Sequence, residues 1–148
     1  MSSGPQVGRA VSPGAAVAID RTLIRQVVHA FYDKVRIDPL LGPIFDGAVQ
    51  DWPHHLDRLT EFWSAITLMT GGYKGDPLRA HVNLPKLGDE HFLRWLALFR
   101  STLAEHCTPE QHLVFLSRAE RIADSFRFGL ASIEGRIAAP LTGCSERQ

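Results

Sequence analysis

Residues 76–82 read Asp-Pro-Leu-Arg-Ala-His-Val, and this short stretch discriminates between two kinds of helical fold. Pro77 predicts the start of a helix, because the first helical residue does not need the amide hydrogen that proline lacks. The helix ends near Val82 and lies between two longer predicted helices. An up-and-down bundle has little use for so short an element. Crossed helices around a pocket do use it, since it can present one side chain, His81, to the interior.

The flanking sequence also predicts helices, and no segment shows the alternation of a half-buried strand. Capping residues or an early proline mark the starts, and glycine or a break in the apolar pattern marks the ends. The predicted starts are Asp20, Asp38–Pro39, Pro53, Asp76–Pro77, Asp89 and Thr108. The last helix is expected to bury Leu113, Leu116, Ala119, Ala123, Phe126 and Leu130. We therefore predict an all-α fold.

The length of 148 residues fits one domain with a continuous core. Residues 1–18 are rich in Gly, Ser, Pro and Ala, and they predict a flexible leader. Residues 19–132 form the predicted helical domain. Residues 133–148 carry Gly, Pro and polar residues without periodicity, and they predict a loose tail.

Composition argues against several classes of protein. Sixteen basic and sixteen acidic residues cancel, so bulk charge gives no reason to expect nucleic acid or an anionic membrane as a partner. No apolar stretch approaches the roughly 20 residues that span a bilayer. Cys107 and Cys144 make no disulfide framework. We expect a monomer in the reducing cytoplasm.

The neighbouring histidines His54 and His55 are predicted to point in opposite directions. His54 shares its helical stripe with mostly polar residues, whereas His55 shares its stripe with the apolar Leu59, Phe62 and Ile66. An inward histidine is more often a core residue bonded to a backbone carbonyl than a ligand. His81 could equally be a capping histidine near a helix end. The helical phase alone does not decide whether His55 and His81 are structural residues or ligands.

The polar side chains on apolar faces do not suit a bare metal ion, which needs three or four protein ligands at tight spacing. His55 and His81 lie 26 residues apart on different helices, among Phe, Trp, Leu and Ile. That pattern favours a large flat apolar cofactor such as a porphyrin, which needs one axial ligand. Tyr32 and Trp95 are singly more typical of a core. Together with His55 they offer the donors that a partly negative ligand requires.

Between residues 20 and 130 the chain resembles the truncated haemoglobins, specifically their third group. The motifs that carry the resemblance are FYDKVR at 31–36, LGPIF at 41–45, Trp52 with His55, FWS at 62–64, GYKG at 72–75, Pro77 with His81, and HFLRWL at 91–96. Phe45, where the second group often has tyrosine, and histidine at position 55 favour the third group. The resemblance implies a truncated globin fold, a two-on-two helical sandwich that encloses haem b, iron protoporphyrin IX.

The resemblance also implies a role for each matching residue. His81 would be the proximal ligand of the iron, and Phe45 would pack against the haem face. Tyr32, His55 and Trp95 would lie on the distal side, where a gas binds. Further contacts to the haem are expected from Leu59, Phe62 and Phe92, and contacts to its propionates from Tyr73, Lys74 and Arg79.

The expected function is reversible binding of O2, CO or NO, with Tyr32 and Trp95 donating hydrogen bonds to the ligand. His55 could donate as well, swing aside as a gate or bind the iron itself. One alternative is a haem redox enzyme, a peroxidase or a nitric oxide dioxygenase, that relies on a separate reductase, because the chain carries no flavin or nicotinamide motif. The other is a helical interaction module without a cofactor.

Overall fold

The computed structural model describes residues 11–71 and 87–134, with side chains described as far as residue 129. Within these ranges every regular element is a helix, so the all-α prediction is confirmed. The helices are α1 Pro13–Ala16, α2 Arg21–Ile37, α3 Gly42–Ala48, α4 Trp52–Leu68, α5 Asp89–His106 and α6 Pro109–Glu134. The predicted short helix at 76–82 lies outside the described residues.

The four long helices form two packed pairs. Helix α2 packs against α4, and α5 packs against α6. The pairs meet where α2 contacts α5 and where α4 contacts α6. Each helix therefore buries one face within its pair and a second face against the other pair, which is the two-on-two arrangement that the resemblance implies.

The core between the pairs is aromatic at its centre. The ring of Phe99 on α5 lies 4.9 Å from Phe31 on α2, 5.1 Å from Trp63 on α4 and 6.3 Å from Phe115 on α6, measured between centroids. All four side chains are almost fully buried. Large apolar rings dominate the energy of a core, so this cluster fixes the long helices against one another.

The inner face of α6 differs from the prediction at its start. Leu113 is 68% exposed, whereas Phe115 is 1% exposed and continues every fourth residue into Ala119 and Ala123. The prediction for Leu113 is wrong because Gln111, a polar capping residue, already occupies the inner face of the first turn. The apolar character of Leu113 was not enough to predict which residues of the first turn lie on the inner face.

Side chains cap the helix starts that the sequence predicts at Asp20, Pro53 and Thr108. The start predicted at Asp38–Pro39 is wrong, because residues 39–41 form a turn and α3 begins at Gly42. The Asp20 carboxylate accepts a hydrogen bond from the Leu23 amide at 2.8 Å, which satisfies a free N–H of the first turn. At the start of α6 the Thr108 amide donates to Gln111 Oε1 at 2.9 Å, and the Gln111 amide donates to Thr108 Oγ1 at 3.2 Å. This reciprocal pair is the predicted capping box.

The start of α5 is capped differently from the prediction. Gly88 occupies the capping position, and its amide donates to His91 Nδ1 at 2.9 Å. Asp89, the predicted cap, is the first residue of the helix and accepts a hydrogen bond from Arg127 Nε at 2.9 Å. Its carboxylate therefore links α5 to α6. The sequence around Asp89 does not predict this contact, because Arg127 lies 38 residues further along the chain.

The segment before residue 19, which the sequence assigns to a flexible leader, includes packed structure. Helix α1 lies against α4 and α6. Gly14 is buried where a Cβ would stand 2.7 Å from the Thr67 carbonyl oxygen, so only glycine allows this approach. Gln111 Nε2 donates to the carbonyl oxygens of Val17 at 3.2 Å and Ala18 at 3.3 Å. The packed part of the chain thus begins before the predicted boundary.

At the other end, α6 continues to Glu134, two residues beyond the predicted domain boundary at 132. The remainder of the expected tail, from residue 135, lies outside the described residues. Among the described helices, none combines the length and the apolar character that crossing a membrane requires.

A buried carboxylate holds the corner between α2 and α3. The Asp38 side chain is 1% exposed, and it accepts hydrogen bonds from the amides of Leu40 and Leu41 and from Arg94 Nε at 2.6 Å. Burial by itself would raise the pKa of this carboxyl, but the three donors together hold the pKa below its ordinary value. The corner that leads into α3 is therefore tied to α5.

We expect Asp38→Asn to lower the free energy of unfolding by about 2 kcal/mol at neutral pH, because an amide replaces a buried, ion-paired carboxylate. Since the folded-state pKa is lowered, the stabilisation is present above about pH 4, the unfolded pKa, and is lost as pH falls through the folded pKa. Urea unfolding of both proteins as a function of pH measures this difference.

Asp57→Asn is the matched control, because it breaks an exposed ion pair with Arg25. It is expected to change the free energy of unfolding by less than about 1 kcal/mol. A wild-type advantage over Asp38→Asn that persists undiminished into strong acid would contradict the assignment of the bridge.

Candidate functional site

A cavity of about 320 Å³ lies between the two helix pairs. Side chains from α2, α3, α4, α5 and α6 line it, and most of them are apolar. The volume falls within the roughly 300–1,000 Å³ typical of pockets for cofactors and small molecules. The fold therefore contains a preformed space for a sizeable apolar group.

The structure brings together the predicted site residues that it describes. Those that line the cavity are Tyr32, Phe45, His55, Leu59, Phe62, Phe92 and Trp95. They come from four different helices, so the fold, not the local sequence, assembles them. The predicted site residues Tyr73, Lys74, Arg79 and His81 lie outside the described residues.

Helical spacing explains how α4 supplies three of these side chains. His55, Leu59 and Phe62 follow one another at intervals of four and three residues, which places them on one face. His54 is exposed. As the phase argument predicts, one histidine of the adjacent pair faces the interior and the other faces solvent.

Three polar side chains of the lining, Tyr32, His55 and Trp95, form what we call the polar wall. The Tyr32 ring lies 6.0 Å from the His55 ring, measured between centroids, with the two planes 86° apart. On its other side Tyr32 lies 5.7 Å from Phe45. The hydroxyl, imidazole and indole groups thus sit in one part of a cavity that is otherwise mostly apolar.

A hydrogen bond joins Tyr32 and Trp95. The indole N–H can only donate, so the Tyr32 oxygen accepts, and the hydroxyl hydrogen of Tyr32 takes no part in this bond. Burial raises the pKa of Tyr32 to about 12, against a smaller lowering by the bond from Trp95. Tyr32 is therefore a neutral phenol at physiological pH, with a proton that it can donate.

Sequence reasoning missed two polar residues of the lining, Arg58 and His91. Helical spacing places Arg58 on the same outward stripe of α4 as His54, and the residue is exposed, but its long side chain reaches the cavity. Its position three residues after His55 is the signal that could have found it. His91 gave no such signal, because its use as the partner of the Gly88 amide depends on the cap of α5.

The remaining lining residues are apolar, and the sequence did not assign them to a site. They are Leu41, Ile44, Trp63, Leu87, Ile122, Ala123 and Phe126. The helical pattern of α6 did predict that Ala123 and Phe126 are buried. Periodicity cannot tell whether a buried face meets other side chains or an open cavity, so this part of the site needed the tertiary structure.

The lining suits a flat apolar group better than a bare ion. Within residues 11–71 and 87–134, no three His, Cys, Asp or Glu side chains cluster as metal ligands would. Aromatic and aliphatic side chains can cover the faces of such a group. Arg58 at the edge could pair with a carboxylate on its rim, because a guanidinium matches carboxylate geometry.

Two comparisons reveal similarity to proteins from Campylobacter jejuni. A group 3 truncated haemoglobin of that organism is 37% identical over 113 residues, which cover 74% of this chain and 89% of the relative. A crystal structure of a group III truncated haemoglobin from Campylobacter jejuni superposes with a TM-score of 0.72 at 38% identity. That match covers 76% of this chain and 92% of the other.

The similarity of fold extends to a more distant structure. The group II truncated haemoglobin from Bacillus anthracis superposes with a TM-score of 0.60 at 18% identity, covering 92% of this chain and 98% of the other. At that level of identity the likeness concerns the fold alone. No family model matches the chain.

The state of Tyr32 can be tested by titration in a Tyr73→Phe background, where Tyr32 is the remaining tyrosine of the two in the chain. We expect phenolate absorbance to appear with a midpoint near pH 12 instead of 10.0, because burial disfavours the charged form. Trp95→Phe removes the N–H that stabilises the phenolate, so it should move the midpoint higher still.

The same raised pKa predicts a loss of stability in alkali. The contribution of Tyr32 to the free energy of unfolding is fully present below about pH 10, the pKa of tyrosine in the unfolded chain. It is lost as the pH rises through the pKa of Tyr32 in the folded protein. Tyr32→Phe should not show that loss. A folded-state midpoint close to 10 would refute the buried, hydrogen-bonded phenol.

Proposed function

The chain belongs to the group 3 truncated haemoglobins, and from this premise we propose that it is a haem protein that reversibly binds O2, CO and NO. The observation that carries the proposal is the polar wall at one side of an otherwise mostly apolar cavity. We propose haem b as the cofactor and His81 as its axial ligand. The position of His81 follows from the sequence motifs and rests on them alone.

The residues around the cavity fit this cofactor. Phe45, Leu59, Phe62 and Phe92 present apolar surface for the faces and edge of a macrocycle. Arg58 is a candidate partner for the propionates, and Tyr73, Lys74 and Arg79 remain candidates from the sequence. If haem were bound there, its iron would supply the coordination site for a diatomic gas, and His81 would be the residue that holds it.

Within the polar wall, Tyr32 is the residue that we propose donates to a gas ligand. Its proton stays on the oxygen because the pKa is raised, and the bond from Trp95 does not use that proton. The sequence predicted that Trp95 donates to the ligand directly. Since its N–H donates to Tyr32, we propose that Trp95 orients the phenol and that His55 closes the wall beside it.

The apolar lining strengthens what the polar wall does. Phe45 and Phe62 present apolar surface to the space that the donors face, and a hydrogen bond is stronger in apolar surroundings than in water. A ligand that gains partial negative charge is therefore held by a donor that is already oriented. The result is slow release of the gas.

The cavity also helps to discriminate between the alternative functions. A cofactor-free interaction module has no need of a preformed pocket, so the cavity favours the haem protein. A peroxidase or a nitric oxide dioxygenase would use the same pocket with a separate reductase, and no described contact favours that chemistry over ligand binding. The cytoplasmic location and the monomeric state remain expectations from the composition.

His81→Ala tests the axial ligand. We expect haem affinity to fall by at least about a hundredfold, because even the loss of an outer-shell partner costs a metal site about 10- to 100-fold. Titration with haemin, followed by the Soret band, measures the change. His54→Ala is the matched control, since His54 is exposed and should leave the spectrum unaltered.

Two results would overturn the assignment. A wild-type protein that stays colourless when supplied with haem would remove the proposed function altogether. If His81→Ala kept the wild-type spectrum and affinity while His55→Ala lost both, the axial ligand would be His55.

Tyr32→Phe tests the donor. We expect the O2 dissociation rate to rise about three- to tenfold, the effect of losing one hydrogen bond of ordinary net strength. Trp95→Phe keeps Tyr32 but frees its orientation, so we expect a smaller rise. Stopped-flow displacement of O2 by CO measures both rates, and rates unchanged in both variants would refute the donor role of the wall.

A further inference from the structure

Trp52, the first residue of α4, stands directly behind the polar wall. It does not line the cavity, yet its ring centroid lies 5.5 Å from that of His55 and 6.0 Å from that of Tyr32. The indole is only half-buried, so it reaches from the wall to the protein surface. It is thus the side chain through which the wall contacts the exterior at this point.

The ring geometry holds the His55 imidazole from two sides. The planes of His55 and Trp52 are 87° apart, and the planes of His55 and Tyr32 are 86° apart. Such edge-to-face contacts have a preferred geometry and resist rotation of one ring past the other. For His55 to swing out of the wall, the imidazole must first lose its contact with Trp52.

Trp52 is in turn held by a charged side chain. The guanidinium carbon of Arg36 lies 4.5 Å from the centroid of the indole ring, a cation–π contact. Arg36 Nε lies 3.6 Å from the carboxylate of Asp46 on α3. Because Arg36 is at the end of α2, this contact joins the ends of three helices over the outer side of Trp52.

We propose that Trp52 is a positioning residue that keeps His55 in the polar wall and so sets the rate at which small ligands enter and leave the cavity. The proposal rests on the proposed function, since it concerns access to the gas site. His55 is the member of the wall suited to this control, because it lines the cavity, is partly exposed and also contacts Trp52. Arg36 acts one step further out, by restraining the indole.

The test is CO binding to haem-loaded protein, measured by flash photolysis and by CO displacement. Trp52→Ala removes the restraint on His55, and we expect both the association and the dissociation rate of CO to rise about tenfold, the loss of roughly two aromatic contacts. The dissociation constant should stay nearly unchanged, because an open route speeds both directions. A general loosening of the fold would weaken haem retention instead.

Arg36→Ala is the second variant, chosen because removing an exposed arginine leaves the core packing in place, whereas removing a tryptophan takes away a large apolar side chain. We expect it to raise both rates about two- to fivefold, the range for a cation–π contact at a partly exposed site. Arg21→Ala is its matched control. Arg21 is also on α2 and pairs with a carboxylate, Glu61, and it should leave both rates unaltered.

A double variant separates action through His55 from a direct effect. If Trp52 works by positioning His55, then Trp52→Ala adds nothing to the rates of His55→Ala. Rates that multiply in the double variant would overturn the proposal, as would wild-type rates in both Trp52→Ala and Arg36→Ala.

A crystal structure of Trp52→Ala supplies a readout that does not depend on gas binding. We expect the His55 imidazole to leave the wall or to occupy several rotamers, while in Arg21→Ala it stays in place. An unmoved His55 would overturn the proposal even if the protein binds haem and CO. Failure of the wild-type protein to bind haem would overturn the proposed function, whereas an unmoved His55 in a protein that binds haem would overturn only the role of Trp52. The two failures can therefore be told apart.

Discussion

The ring of Phe99 is the place where all four long helices meet. It lies within 6.3 Å of Phe31, Trp63 and Phe115, each of which comes from a different helix. A cluster of this kind leaves little freedom in how the two helix pairs sit against each other, because close-packed interiors do not deform continuously. The cavity adjoins this cluster, since Trp63 belongs to the cluster and also lines the cavity.

The positions of Tyr32 and Trp95 in the polar wall are set by that cluster. Tyr32 follows Phe31 directly on α2, and Trp95 precedes Phe99 by one turn on α5, with the two rings stacked at 5.8 Å. The core therefore places the indole of Trp95 beside the phenol of Tyr32, where it lowers the pKa of that phenol. Asp38 adds a second constraint, since its bond to Arg94 ties the corner before Phe45 to the same helix. The donors are oriented by the fold, not by the ligand.

The sequence predicted the four long helices and much of the site because both depend on short spacings. Phase alone separated His55 from His54, and the motifs located the other described site residues on the lining. The sequence did not predict features that depend on tertiary contacts. Asp89 bonds to α6 instead of capping α5, and Trp52 gains its place behind the wall only when α2, α3 and α4 come together. Nothing local to these residues encodes such partners.

Gln111 shows how the two ends of the packed chain depend on each other. Its side chain closes the capping box of α6 and also holds the carbonyls that follow α1, some 94 and 93 positions earlier. During synthesis the N-terminal segment leaves the ribosome first, and α6 emerges only after the helices that precede it in the chain. The hydrogen bonds that hold the carbonyls after α1 therefore cannot form until Gln111 has been translated.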